Sequence, residues 1–221
     1  KVGSQGIQPP KPRSPFSIDQ VVAGHTHETP FGETYLVEDH YPWGHPHGRM
    51  TLEISSPLDV IAQWAGDGRI ASLSPQSFAF IDTETTGLSG GTGTYAFLVG
   101  VGKFDDQGFN LAQFFMSDPI YEPAQLAALE AFIAPCDALV TFNGKAFDVP
   151  LLTTRFITHG LACPLGSPAH VDLLHLARRL WRDFAARAGE ETDPADRPGA
   201  WAAAVEGIMG EQSNRGETQA A

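Results

Sequence analysis

The sequence predicts an α/β fold: a mixed β-sheet flanked by helices, with a small β appendage on its N-terminal side. Three observations carry this. The short apolar runs Phe78–Ile81 (FAFI) and Ala138–Phe142 (ALVTF) read as buried strands. Two longer strand-like runs, Thr94–Phe104 and Phe109–Phe115, are joined by Asp105-Asp106-Gln107-Gly108, a polar connector ending in Gly that fits a hairpin. Helix-periodic segments then alternate with short strands, so the order is β, β-hairpin, α, β, α, β, α.

In chain order, residues 1–20 hold Pro9, Pro10, Pro12 and Pro15 with Gly3 and Gly6, and read as a disordered lead. Residues 21–70 form the N-terminal appendage, with Thr34–Val37 as a strand after the turn Pro30-Phe31-Gly32. The appendage carries His25, His27, His40, His45 and His47. Histidine is the commonest transition-metal ligand, but no zinc-type spacing recurs, so a polar surface or interdomain loop is the stronger reading. Trp43 and Tyr41 are expected to pack this loop onto the main domain. Pro57–Ala65 is a short amphipathic helix.

Beyond the hairpin, Pro123–Ile133 has helical spacing, with Leu126, Leu129, Ala131 and Phe132 apolar. Phe147–His159 is the next helix, with Pro150 in its first turn, where the missing N–H is harmless. Val171 closes a further short strand. Leu173–Ala186 continues as a helix with Leu174, Ala177, Leu180, Trp181 and Phe184 in one stripe. The main domain spans residues 71–187. Residues 188–221 read as an irregular, incomplete C-terminal segment.

With 221 residues and 42% hydrophobic content, the chain can bury one sizeable core. A net charge of −12 and a pI near 4.9 argue against gripping nucleic acid by broad counterion release. A nuclease stays open, because divalent cations neutralise phosphate locally. Cys136 and Cys163 are too few for a disulfide scaffold, so a reducing, cytoplasmic setting is expected. No run approaches the roughly 18 apolar residues of a membrane span, so no membrane partner is expected.

The chemistry concentrates in Phe78–Tyr95, FAFIDTETTGLSGGTGTY. Side chains alternate along a strand, so Asp82 and Glu84 point the same way at its end. Two adjacent like charges push a proton onto one carboxylate unless a cation lies between them, and hard oxygen ligands suit Mg²⁺ or Mn²⁺. The second stretch is TFNGKAFDVPLL, residues 141–152. Its strand ends at Phe142, Asn143-Gly144 make the turn, and Asp148 falls in the first turn of the following helix. The helix dipole favours a carboxylate there, so a purely structural Asp148 is the alternative. Gly90-Gly91-Thr92-Gly93 is neither a P-loop nor a dinucleotide fingerprint, and reads as a flexible loop beside the acidic pair.

The features FIDTETTGLSGGTGTYAFLVG, LVTFNGKAFDVPLL and HVDLLHLARRLWR, with ETPFG and HYPWGHPHGR upstream, resemble the YprB-type branch of ribonuclease H-like proteins. That branch lies within the DEDD, or DnaQ-like, 3′–5′ exonuclease superfamily. The resemblance spans about Val21 to Arg182 and implies a ribonuclease H-like sheet. It implies that Asp82, Glu84 and Asp148 are catalytic and ligate two divalent cations, Mg²⁺ or Mn²⁺, about 3.5–4 Å apart. One ion would generate the attacking hydroxide and the other would stabilise the leaving 3′ oxygen. Thr86, Gly87 and Leu88 would lie against the terminal nucleotide, with Asn143 and Lys145 as further substrate contacts. The implied substrates are single-stranded DNA or RNA 3′ ends; protein partners are left open.

The chain departs from the family pattern in one respect. A fourth carboxylate is required on a late helix, and in some branches a His or Tyr precedes it. Asp172 comes too early for that place, although it ends a strand and is expected to line the cleft. His170 and His175 beside it read as packed side chains. VEGIMGEQSNRGE, residues 205–217, is similar to the segment that precedes the last motif, and no later helix follows in the sequence. Hence two expectations stand side by side: an exonuclease, impaired or truncated, or a catalytically silent ribonuclease H-like module that binds nucleic acid or a protein.

Overall fold

The computed structural model describes residues 17–48, 50–52, 57–87 and 93–179. The strands and helices run β1 (His25–Thr29), β2 (Gly32–Pro42), β3 (Pro46–His47), β4 (Met50–Thr51), α1 (Leu58–Ala65), β5 (Phe78–Thr85), β6 (Ala96–Phe104), β7 (Gly108–Phe115), α2 (Glu122–Ile133), β8 (Ala138–Thr141), α3 (Asp148–Thr158) and β9 (Ala169–Asp172). Residues 173–179 are helical and continue directly from β9. The expected disordered lead over 1–16 and the segment beyond 179 lie outside the described residues.

One seven-stranded sheet has the order β1-β2-β7-β6-β5-β8-β9. It is mixed, antiparallel from β1 across to β5 and parallel from β5 through β8 to β9. With helices on both faces, this is a ribonuclease H-like α/β fold. The N-terminal strands need a correction. They are not a separate appendage: β2 pairs with β7 from Tyr35↔Phe115 to Pro42↔Gly108, which makes β1 and β2 the outer edge of the main sheet. The physical reason is that β7 would otherwise present unpaired N–H and C=O groups. Among the described residues, only the two-stranded β3–β4 ribbon stands apart.

Alternation along β5 sorts its side chains onto two faces. Ala79 and Ile81 join Val99, Val101 and Phe114 in the larger core, covered by Leu126, Leu129 and Ile133 of α2 and Leu151, Leu152 and Phe156 of α3. Phe78 and Phe80 point the other way, with Ala138, Val140, Ala169 and Val171, and are covered by α1 and Leu176. Trp43 stacks on Phe104 at 5.1 Å between ring centroids, and Phe104 packs edge-on against Phe80 and Phe109. Trp43 thus packs its loop onto the sheet, as the sequence predicts.

One turn explains its residues. The β6–β7 hairpin is closed by Asp105, whose Oδ1 accepts the main-chain N–H groups of Gln107 (2.7 Å) and Gly108 (3.0 Å). A Cβ on Gly108 would lie 2.1 Å from the Tyr41 carbonyl oxygen, so no side chain fits where β2 and β7 approach. A triad of polar side chains lies beside the larger core. The Arg155 Nε donates to Glu122 Oε1 (2.7 Å), His159 Nε2 lies 2.6 Å from Glu122 Oε2, and Glu122 and Arg155 are both buried. The triad ties α2 to α3 beneath the sheet, and the Arg155 guanidinium also lies 4.5 Å from the centre of the Tyr95 ring.

Candidate active site

The site grows out of the end of β5, where the buried run FAFI gives way to polar residues. Asp82 and Glu84 stand on the Phe80 face of the strand and are exposed, and the pairing with β6 shifts register between Glu84 and Thr85. This irregularity shifts the ladder beside the acidic pair, and bulges are common next to sites. Asp82 and Glu84 border an open cleft of about 780 Å³. Its floor is the uncovered face of β6 and β7, with Leu98, Gly100 and Leu111, and its far rim is Phe142 and Leu173. The glycine keeps the floor low, and the lining is more apolar than charged.

Asp148 reaches the same strand from the opposite side. It is the first residue of α3 and is 4% exposed. The β8–α3 turn delivers it there: Asn143 takes a left-handed φ of 64°, which Asn tolerates better than other side-chain-bearing residues. The hydroxyl of Thr83, between Asp82 and Glu84 but on the other face, donates to Asp148 Oδ1. Burial pushes the Asp148 carboxyl above the usual carboxylate range; the Thr83 hydrogen bond opposes this, and the nearby Asp82 charge adds to it.

Asp172 is the contrasting group, and here the expectation that it lines the cleft is corrected. Its carboxylate is turned into the β8–α3 turn, where Oδ1 accepts the N–H groups of Asn143 (2.9 Å) and Leu174 (3.0 Å), and Oδ2 that of Lys145 (3.0 Å). Burial works against its charge, yet these three donors hold its pKa below the usual range. Asp172 is therefore the clasp of the turn that carries Asp148. His170 beside it is half-buried, 2.8 Å from the Thr141 hydroxyl, with its pKa lowered chiefly by burial.

The remaining expected site residues are placed as follows. Thr86 is exposed next to Glu84, and its main chain and hydroxyl close the loop mouth: its N–H donates to Tyr95 O (3.0 Å), and its Oγ1 accepts the Tyr95 N–H (3.1 Å). The Gly87 carbonyl accepts from the Thr85 hydroxyl at 3.0 Å. Leu88 and Gly90, Gly91 and Thr92 lie outside the described residues. Asn143 and Lys145 have exposed side chains, and their backbone N–H groups serve Asp172. Sequence reasoning missed Thr83, which reads there only as a β-former between two acids, and Tyr95, which closes the loop. The sole signal for Thr83 was alternation, which sets it opposite the acidic pair.

Three carboxylates are the hard oxygen donors that Mg²⁺ or Mn²⁺ takes. Among the described residues no group of three His, Cys, Asp or Glu side chains is drawn together tightly enough to enclose an ion. Mg²⁺ is usually held by one or two carboxylates with several waters and substrate phosphates, so the exposed Asp82–Glu84 pair, with Asp148 close by, fits that chemistry. The N-terminal histidines likewise form no such group among the described residues, and His25 and His27 are exposed on the edge strand β1. No described helix is long and apolar enough to cross a membrane.

Comparison with known proteins agrees with this architecture. Residues 79–188, from β5 to beyond the last described helix, match the RNase_H superfamily. An uncharacterized protein of Bacillus subtilis (strain 168), YprB, is 37% identical over 153 residues, covering 66% of this chain and 36% of that protein. The chain thus spans little more than a third of the length of that curated relative.

Proposed function

Because residues 79–188 match the RNase_H superfamily, we propose that this chain is a metal-dependent nuclease of 3′–5′ exonuclease type, hydrolysing phosphodiester bonds in single-stranded DNA or RNA. The observation that carries the reading is the Asp82–Glu84 pair, exposed on one face of a strand end at the border of an open cleft, with buried Asp148 beside it. Asp82, Glu84 and Asp148 would hold Mg²⁺ or Mn²⁺, which when bound supplies a water of lowered pKa and neutralises charge on the phosphate and the leaving oxygen.

The chain's own residues do the rest. Asp82 and Glu84 present carboxylate oxygens to the cleft, and the low floor over Gly100 admits a nucleotide. Thr86 and Gly87 stand at the loop mouth beside Glu84, where a terminal nucleotide would meet backbone rather than a bulky side chain. The apolar floor and exposed Phe142 suit unpaired bases, and a net charge of −12 does not favour the broad phosphate contacts of duplex binding.

The test is cleavage of 5′-labelled single-stranded oligonucleotides with Mn²⁺, by the parent and by Asp82→Ala. Stepwise shortening by the parent and a loss of roughly 10³-fold in the variant are expected, equivalent to about 4 kcal/mol of transition-state stabilisation. Shortening by the parent no greater than by the variant would refute the reading.

A specific observation favours a second reading, in which the domain binds nucleic acid or a protein partner without turnover. Asp172, at the end of β9, is consumed by three backbone N–H groups, so it adds no fourth ligand. Binding of single-stranded oligonucleotide by a parent that does not shorten it would support this reading over the first.

A further inference from the structure

Thr83 stands between the two acids of the strand end, yet it faces away from both. Its side chain lies on the face of β5 shared by Ala79 and Ile81, against α3, while Asp82 and Glu84 lie on the face shared by Phe80. Asp148 is buried on the Thr83 side and is the one carboxylate of the three that does not share the face of the pair. For one ion to be shared by all three, the Asp148 carboxylate would have to meet it at the strand end. The position of the Asp148 carboxylate there is therefore decisive.

We infer that Thr83 is a positioning residue for metal binding: its hydroxyl donates to Asp148 Oδ1 and leaves Oδ2 as the oxygen offered to the ion. The inference rests on the metal-dependent reading above. Three features support it. The Thr83 hydroxyl is the polar side-chain partner of a buried carboxylate, with a smaller contribution to that carboxylate from the Thr83 main-chain N–H. Thr83 is itself fixed by the ladder, opposite Val99 of β6, so the donor cannot wander. Asp148 begins a helix whose Leu151, Leu152 and Phe156 are locked in the larger core. A hydroxyl from a rigid strand and a carboxylate from a rigid helix thus define one rotamer at their junction. Groups that orient metal ligands in this way typically change affinity by 10–100-fold when removed.

The role also explains why a β-branched hydroxyl residue occupies the position. Valine would match its shape and strand preference but not its donor, and serine would keep the donor with a freer χ1.

The experiment titrates Mn²⁺ into the purified protein by calorimetry, with thermal melting of each variant as a control, for the parent, Thr83→Val, Thr83→Ala, Thr83→Ser and Asp82→Ala. Thr83→Val is expected to bind Mn²⁺ about 10–100-fold more weakly, and Thr83→Ser to return within about threefold of the parent. Should Thr83→Val fail to fold, Thr83→Ala reads the same loss, since it too lacks the hydroxyl. Parent-like Mn²⁺ affinity in a folded Thr83→Val or Thr83→Ala, with binding abolished in Asp82→Ala, overturns the role of Thr83 and leaves the site reading standing. Parent-like affinity in Asp82→Ala overturns the site reading and the inference with it.

Discussion

Asp148 and Asp172 are a natural pair for comparison. Both are buried, at 4% and 3% exposure, both stand where a strand and a helix meet at the same end of the sheet, and both are fixed by the β8–α3 turn. Their electrostatic situations are opposite. Asp172 receives three backbone N–H groups and is held ionised, whereas Asp148 has the Thr83 hydroxyl, feels Asp82 and is pushed toward its neutral form. A carboxylate already paired with several donors gains little from a cation. Asp148 is left short of compensation, and a cation beside Asp82 would supply it. The difference separates a residue that builds the site from one that uses it.

Glu122 gives the largest stability effect and marks the fully paired limit of the comparison. Replacing it leaves the Arg155 guanidinium buried without its carboxylate, so Glu122→Gln is expected to cost about 3–5 kcal/mol in denaturant unfolding. A cost below about 1 kcal/mol would mean that pairing does not decide the fate of buried carboxylates in this fold. Next comes Asp172→Asn, which removes an ionised acceptor from three donors; about 2–3 kcal/mol of destabilisation is expected by the same assay. Asp148→Asn reverses the sign. Removing a strained charge near Asp82 should stabilise the protein by about 0.5–2 kcal/mol, and a destabilised variant would contradict the contrast.

The smallest effect is in pH. A carboxylate with a raised folded pKa binds more protons folded than unfolded, so its penalty is present at neutral pH and fades as pH falls through that folded value toward the unfolded value of about 3.9. A lowered folded pKa acts oppositely. The Asp172 contribution is fully present above about 3.9 and is lost only as pH falls further, through the folded pKa. Melting curves between neutral pH and about pH 4 should therefore show the advantage of Asp148→Asn shrinking while the penalty of Asp172→Asn persists. The same trend in both variants would contradict the assignment.

Much of this arrangement is legible in the sequence because it is local. Period-two alternation places Asp82 and Glu84 on one face, and helix-start chemistry places Asp148 in the first turn of α3, with no tertiary information needed. The strand and helix order follows from apolar runs and their punctuation in the same way. What was hidden depends on partners distant in sequence. Tyr35 pairs with Phe115, which turns an expected appendage into sheet edge. Asp172 meets N–H groups some 27–29 residues upstream, so an apparent cleft residue becomes a clasp. Glu122 and Arg155 are likewise 33 residues apart, so nothing local in the sequence marks them as partners.

The most direct measurement is thermal unfolding of the parent, Asp148→Asn and Asp172→Asn, each with and without Mn²⁺. A ligand at 100 times its Kd stabilises the folded state by about 2.7 kcal/mol. The account predicts that Mn²⁺ raises the melting temperature of the parent and of Asp172→Asn by a similar amount, from a lower starting point in the latter. Asp148→Asn should start at or above the parent and gain little. A full Mn²⁺ gain in Asp148→Asn, or its loss in a folded Asp172→Asn, would contradict the division of roles between the two aspartates.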